Sequence, residues 1–208
     1  MGKEIERKFL VHEDILKPLL VQGYAIKQGY VETSGDMKVK LDIDDDNEIA
    51  WIKIEGKEFK IFKIPYKEAL EISELLATDD NEIIANTKTV VRARIKGDEG
   101  FLTIKGENEG AVRTEFEYDI QADDAIDIIE NYCTEDNIIE KVRYEIKKSI
   151  HIWEVDVFTG LNEGLIVAEI ELKSENEIFE KEDWVTIEVT DDNKYYNSNL
   201  MKNPYTKW

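Results

Sequence analysis

Glu4-Ile5-Glu6-Arg7-Lys8-Phe9-Leu10-Val11 stands near the start of the chain and decides how the rest is read. Successive side chains of a β-strand point to opposite faces, so Glu4, Glu6 and Lys8 share one face. Two carboxylates and an ammonium in a row suit a lining that holds a hard divalent cation together with a phosphate. Carboxylate oxygens match Mg²⁺ or Mn²⁺, and a lysine matches phosphate. An exposed, charge-laced strand would account for such a segment standing alone. The remainder of the chain favours the lining.

Outward from this first strand (3–11), alternation of apolar and polar residues recurs over 24–32, 37–43, 49–54, 59–64, 90–96, 100–105, 112–120, 139–148, 151–158, 165–172 and 184–189. Turns such as Gly97-Asp98-Glu99-Gly100 punctuate these runs. Helical spacing covers 13–20, 66–77, 122–132 and 174–180, with a short helix around 195–202. The chain is therefore α+β and dominated by strands. It also repeats itself. The segment from Ala69 to Asn81 matches that from Ala125 to Asn137 without a gap, and upstream Val39-Lys40 and Ile52-Lys53 echo Val91-Arg92 and Ile104-Lys105. A weaker third echo runs from Val142-Arg143 to Glu169-Ile170-Glu171. Each unit reads as strand, strand, strand, then helix, a module that buries its sheet face only when joined to others.

The same-face charges on these strands are segregated by sign. Arg92/Arg94 and Lys141/Arg143 are basic, with Lys105 ending a neighbouring strand; Glu115/Glu117, next to Arg113, and Glu169/Glu171 are acidic. Asp156 sits opposite an apolar face formed by Trp153, Val155 and Val157. Like charges adjacent on one face repel unless a counter-ion is present. If the strands close on themselves, burying so many unpaired charges would exceed a domain's net stability. The pattern predicts a wet, charged tunnel in which acids, bases, metal and anion neutralise one another.

Composition sets the outer limits. A length of 208 residues allows a sizeable core. The single cysteine, Cys133, excludes an internal disulfide framework and fits a reducing, cytoplasmic setting. No apolar run is long enough to span a membrane and no leader pattern is present. Two histidines, His12 and His151, exclude a histidine-rich zinc site. A net charge of −20 argues against long nucleic acids on the outer surface, while leaving room for a small polyanion among clustered basic residues.

In order along the chain, the opening motif is followed by Gln28-Gly29-Tyr30, Arg92-x-Arg94, Leu102-Thr103-Ile104-Lys105, Arg113-x-Glu115-x-Glu117, Lys141-x-Arg143-Tyr144, Trp153-x-Val155-Asp156-Val157-Phe158, Glu169-x-Glu171 and a closing Val189-Thr190-Asp191-Asp192-Asn193-Lys194-Tyr195-Tyr196-Asn197. This set resembles the CYTH superfamily, the triphosphate tunnel metalloenzymes, over residues 1–32 and about 89–200. The resemblance implies an antiparallel eight-stranded β tunnel with flanking helices, as a single CYTH-like domain over 1–208. Residues 33–88, without counterpart in the simpler bacterial members, would be an inserted or duplicated β-β-β-α accessory subdomain. Glu4, Glu6, Glu115, Glu117, Glu169 and Glu171 would form the metal-binding acidic ring, for Mg²⁺ or Mn²⁺. Asp156 would complete it or orient a basic neighbour. Lys8, Arg92, Arg94, Lys105, Arg113, Lys141 and Arg143 would hold phosphate oxygens, and Lys194 would add a contact or close one mouth. Glu6, Lys8 and Glu117 are the catalytic candidates, the two carboxylates serving as base or as ligand. The activity implied is metal-dependent hydrolysis of a triphosphate, foremost inorganic tripolyphosphate, with nucleoside triphosphates as poorer substrates. A class IV adenylate cyclase, a thiamine triphosphatase and a non-catalytic polyphosphate sensor are the alternatives, and a homodimer is left open. Two departures stand out: Ile61-Phe62-Lys63 replaces the acids in the first copy, and Asn193-Lys194 replaces a Lys-Arg pair.

Overall fold

In a computed structural model, which describes residues 5–31, 39–44, 49–61, 64–76, 89–109, 112–174 and 176–208, the alternating segments become twelve strands. The elements run β1 (Ile5–Val11), α1 (Glu13–Leu16), β2 (Gly23–Val31), β3 (Val39–Asp44), β4 (Ile49–Ile54), β5 (Lys57–Ile61), α2 (Tyr66–Leu76), β6 (Val90–Lys96), β7 (Glu99–Glu109), β8 (Val112–Ile120), α3 (Ala122–Tyr132), β9 (Ile138–Lys148), β10 (His151–Phe158), β11 (Ile166–Leu172), β12 (Val185–Glu188) and α4 (Asn197–Lys202). The chain divides into two units, one of residues 1–26 and 139–208 and one of residues 27–138.

In the first unit the strand order is β12-β1-β11-β10-β9, and the strand pairs registered in it are antiparallel. Period-two patterning sorts the side chains. Phe9, Trp153, Val155, Ala168 and Ile170 pack on one side with Trp184 and Val185. Edge-on aromatic contacts knit that core, Trp153 lying 5.3 Å from Trp184 and 5.6 Å from Phe9 between ring centroids. Each fully buried side chain of this size contributes about 1.5–3 kcal/mol. The alternate residues, Glu6, Lys8, Glu154, Asp156, Glu169 and Arg143 among them, are left on the other face. A smaller apolar cluster of Ile139, Phe158, Leu165, Val167 and Leu200 packs separately.

The second unit realises the repeat. β3-β4-β5 and β6-β7-β8 are antiparallel triplets, followed by α2 and α3 respectively. Both copies feed one core: Ile52, Phe59 and Ile72 from the first meet Val91, Leu102, Phe116, Ile128 and Ile129 from the second. The β4–β5 hairpin turns through Glu55 and Gly56 at φ 50 and 84, the left-handed pair that matches strand twist. Gly29 is required by close packing, since a Cβ there would lie 2.7 Å from Cys133 Sγ.

The α+β, antiparallel expectation holds, and the described residues form twelve strands, one more than the eight of the tunnel and the three of the inserted repeat together. Setting aside β3, β4, β5 and the short edge strand β12 leaves the eight. The helix expected over 174–180 does not form among the described residues. There Glu177 accepts a 2.5 Å bond from the Lys173 N–H and pairs with His151 Nε2 at 3.0 Å, while Phe179 packs against the Phe9 and Trp153 rings. Tertiary contacts override a local periodicity. The helix at 13–20 ends at Leu16 and continues as a 3₁₀ turn through Pro18. Glu4, Phe62 and Lys63 lie outside the described residues. Among those residues no helix is long and apolar enough to cross a membrane.

Candidate active site

Strand register builds a charged face in the first unit. Glu6 pairs with Glu171 and Lys8 with Glu169 across β1 and β11; Glu169 pairs with Glu154 on β10, and Glu154 with Glu145 on β9. One step along, Arg143 pairs with Asp156. Three carboxylates in one cross-strand row repel unless cations intervene. Lys8 Nζ supplies one, at 2.5 Å from Glu169 and 2.7 Å from Glu6. Arg143 supplies another. It donates from Nε and Nη2 to the two oxygens of Asp156, each at 2.6 Å, from Nη2 to Glu169 at 3.0 Å, and from Nη1 to Glu154. Lys141 donates to Asp156 at 2.5 Å.

Asp156 is fully buried, at 0% exposure, and Lys141 nearly so. Burial opposes the Asp156 charge, but Lys141 and Arg143 overcome it and hold the carboxyl below the ordinary carboxylate range. Burial likewise opposes the charges of Lys8 and Arg143, and the surrounding carboxylates win, raising both. Glu154 goes the other way. Burial pushes its carboxyl up, Arg143 opposes this, and Glu169 and Asp156 add to the rise. Tyr24 donates to Glu145 at 2.8 Å at the far end of the row. Thr190, from the closing motif, accepts the Lys8 N–H at 3.1 Å, fixing the backbone that carries the lysine.

The second unit carries its own charged face, on β6-β7-β8. Arg92 pairs with Thr103, and Thr103 with Glu117. Arg92 Nη2 donates to Thr103 Oγ1 at 2.9 Å and to Glu117 at 3.0 Å; Arg94 donates to Glu117 at 2.7 Å, and Thr103 Oγ1 to Glu117 at 2.8 Å. Lys105 bonds Glu115 at 2.5 Å. The Arg92 Nε is buried and has no hydrogen-bond partner among the described residues.

Of the residues expected from the sequence, Glu6, Lys8, Lys141, Arg143, Asp156, Glu169 and Glu171 thus share the first face, and Arg92, Arg94, Lys105, Glu115 and Glu117 the second. Arg113 lies on β8 opposite Asn108, its side chain outside the description. Lys194 joins neither network: its Nζ lies 4.4 Å from the Trp208 ring centroid and 5.0 Å from that of Tyr195. Glu154 is not among the residues the sequence singles out, and Thr103 enters there only as part of the Leu102–Lys105 motif, with no role of its own. Each stands two residues from a residue that is singled out, Asp156 and Lys105 respectively, so strand alternation was the signal available for both.

A hard divalent cation fits the donor chemistry of the first face, where Glu6, Glu169 and Glu171 offer carboxylate oxygens. Among the described residues no three acidic, cysteine or histidine side chains are already gathered into a metal site. Glu6 and Glu169 are instead drawn onto Lys8.

Known proteins share sequence and fold with this chain. The CYTH domain model matches residues 76–202. An inorganic triphosphatase of Acetivibrio thermocellus is 37% identical over 205 residues, covering 99% of this chain and 97% of that protein, so the aligned stretch takes in residues 33–88 as well. An inorganic triphosphatase of Nitrosomonas europaea is 35% identical over 113 residues, 53% of this chain and 73% of its own. The crystal structure of the inorganic triphosphatase NE1496 shares the fold, with a TM-score of 0.53 and 24% identity over 97% of this chain and 95% of that one. The chain belongs to the CYTH domain family.

Proposed function

We infer that this protein hydrolyses inorganic triphosphate, releasing phosphate and diphosphate, with Mg²⁺ or Mn²⁺ as its cofactor. The observation that carries the reading is the first face, where Lys8, Lys141 and Arg143 are held among carboxylates on one side of an antiparallel sheet. Near full-length similarity to an inorganic triphosphatase supports it.

The chemistry follows from charge. Cleaving a phosphoric anhydride requires positive charge on the non-bridging oxygens and on the departing diphosphate. On the first face Lys8 and Arg143 are the cations placed for this, with Lys141 holding Asp156 beneath Arg143. On the second face Arg92, Arg94 and Lys105 suit phosphate oxygens, and the buried Arg92 Nε has no hydrogen-bond partner among the described residues. Glu6, Glu169 and Glu171 are the residues to hold the cation. When bound, the cation would offset phosphate charge and acidify a water. We read residues 33–88 as an accessory copy of the repeat outside this chemistry.

Phosphate release from inorganic tripolyphosphate, with ATP in parallel, in Mg²⁺, Mn²⁺ and EDTA tests the reading. Metal-dependent release from tripolyphosphate, abolished by Glu6→Gln, is the expected result. Conversion of ATP to a cyclic nucleotide and diphosphate would replace it with a cyclase, and triphosphate binding without turnover in any metal would replace it with a sensor.

A further inference from the structure

Arg143 is surrounded by three carboxylates, and they are not equivalent. Asp156 is buried and shared with Lys141, and so is fixed. Glu169 is held by Lys8 at 2.5 Å and is mostly buried. Glu154 has Arg143 as its one ion-pair partner among the described residues, and its side chain is 39% exposed. It also faces two like charges across the strands, Glu169 on one side and Glu145 on the other. Its place is therefore bought by Arg143 alone and opposed by its neighbours.

That asymmetry bears on how an anion reaches Arg143. Nε and Nη2 are committed to Asp156 and Glu169, whereas Nη1 is committed to Glu154. We propose that Glu154 is a displaceable placeholder: it occupies Arg143 Nη1 until a substrate phosphate takes that donor, and swings toward solvent when it does. The inference rests on the reading that Arg143 binds phosphate. Glu154 is then a positioning residue that sets affinity by competition. Asp156 keeps the guanidinium aimed, and Glu154 keeps its outward edge from being left bare. An incoming phosphate exchanges one anion for another at Nη1, so the cost of uncovering the donor is spread over the exchange. The same competition speeds release of the product phosphates.

The test is Glu154→Gln, nearly isosteric and uncharged, with Glu154→Asp as a charge-keeping control and a thermal melt of each. The expected result is a KM for tripolyphosphate lowered roughly two- to fivefold, the scale of one partly exposed ion pair. Inhibition by diphosphate should tighten by a similar factor, with kcat unchanged or lowered and Glu154→Asp closer to the parent. A structural role alone would lower Tm and leave or raise KM. An unchanged or raised KM in Glu154→Gln, with the native protein active, overturns the placeholder and leaves the triphosphatase reading intact. If the native protein neither binds nor hydrolyses tripolyphosphate, as read by calorimetry with the metal alone as reference, the reading falls and the placeholder with it.

Discussion

The two charged faces each hold an arginine, set against different cross-strand partners. On β9 and β10, Arg143 faces Asp156; on β6 and β7, Arg92 faces Thr103. A buried carboxylate anchors the first arginine on two oxygens, and a hydroxyl anchors the second through a single nitrogen. The sign balance follows. Around Arg143, the cations Lys8, Lys141 and Arg143 meet Glu6, Glu154, Asp156 and Glu169, so carboxylates are in excess. Around Arg92, the cations Arg92, Arg94 and Lys105 meet Glu115 and Glu117 among the described residues. The first face is a continuous ion network, whereas on the second the Arg92 Nε is buried without a hydrogen-bond partner among the described residues.

The largest effect should come from breaking the anchor that distinguishes them. Asp156→Asn leaves two buried cations short of a counter-charge, and breaking a buried pair costs about 3–5 kcal/mol. For a chain of this size that lowers Tm by roughly 6–20 °C. Thr103→Val removes one hydroxyl and should cost about 1–3 kcal/mol. Equal losses in paired thermal melts would erase the distinction. The acid limb sharpens it further. The folded pKa of Asp156 lies below its unfolded value of about 3.9. Its stabilisation is therefore present above that unfolded value and is lost as pH falls through the lower folded one. Melts across acid pH should show this loss in the native protein and not in Asp156→Asn.

Next in size is the metal requirement. Glu169→Gln removes an oxygen donor from the acid-rich face and should raise the Mg²⁺ or Mn²⁺ concentration for half-maximal activity by roughly tenfold or more. Glu117 is instead the common acceptor of Arg92, Arg94 and Thr103. Glu117→Gln should act mainly on KM for tripolyphosphate, with the metal titration little moved. If both variants shift the metal titration alike, Glu117 belongs with the cation ligands and the division of labour between the faces is wrong.

Strand positions and facing were legible in the sequence because both follow from a period of two. Arg92 and Arg94 do share a face with Glu117, and Lys8 with Glu169. The β3-β4-β5-α2 and β6-β7-β8-α3 copies emerged where the duplicated segments placed them. What local pattern could not carry was partnership. That Glu154 shares Arg143 with Asp156 depends on register between strands, and 174–180 gave up its helical spacing to contacts with His151 and Phe9. Lys194 matched a motif by order along the chain, yet its ammonium rests on Tyr195 and Trp208, a cation–π arrangement that no spacing announces.

The smallest effect is expected in the first copy of the repeat, and it tests whether that copy stands apart from the chemistry. Lys53 occupies the position that Lys105 holds in the second copy, and each faces a glutamate across its hairpin, Glu58 and Glu115. Their surroundings differ. Lys53 is shared between Asp42 at 2.6 Å and Glu58 at 2.8 Å, more exposed than Lys105, and the hydrogen bonds it donates to those two carboxylates raise its pKa. A half-buried lysine already balanced by two acids offers little to an incoming polyanion, and pairs to partly exposed acids of this kind contribute little to stability. Lys53→Met should therefore leave kcat/KM for tripolyphosphate within about twofold, whereas Lys105→Met should lower it roughly tenfold or more by removing a cation from the second face. A loss at Lys53 comparable with that at Lys105 would mean that the copied sheet β3-β4-β5 reaches the substrate, and that the repeat extends the basic lining rather than standing beside it.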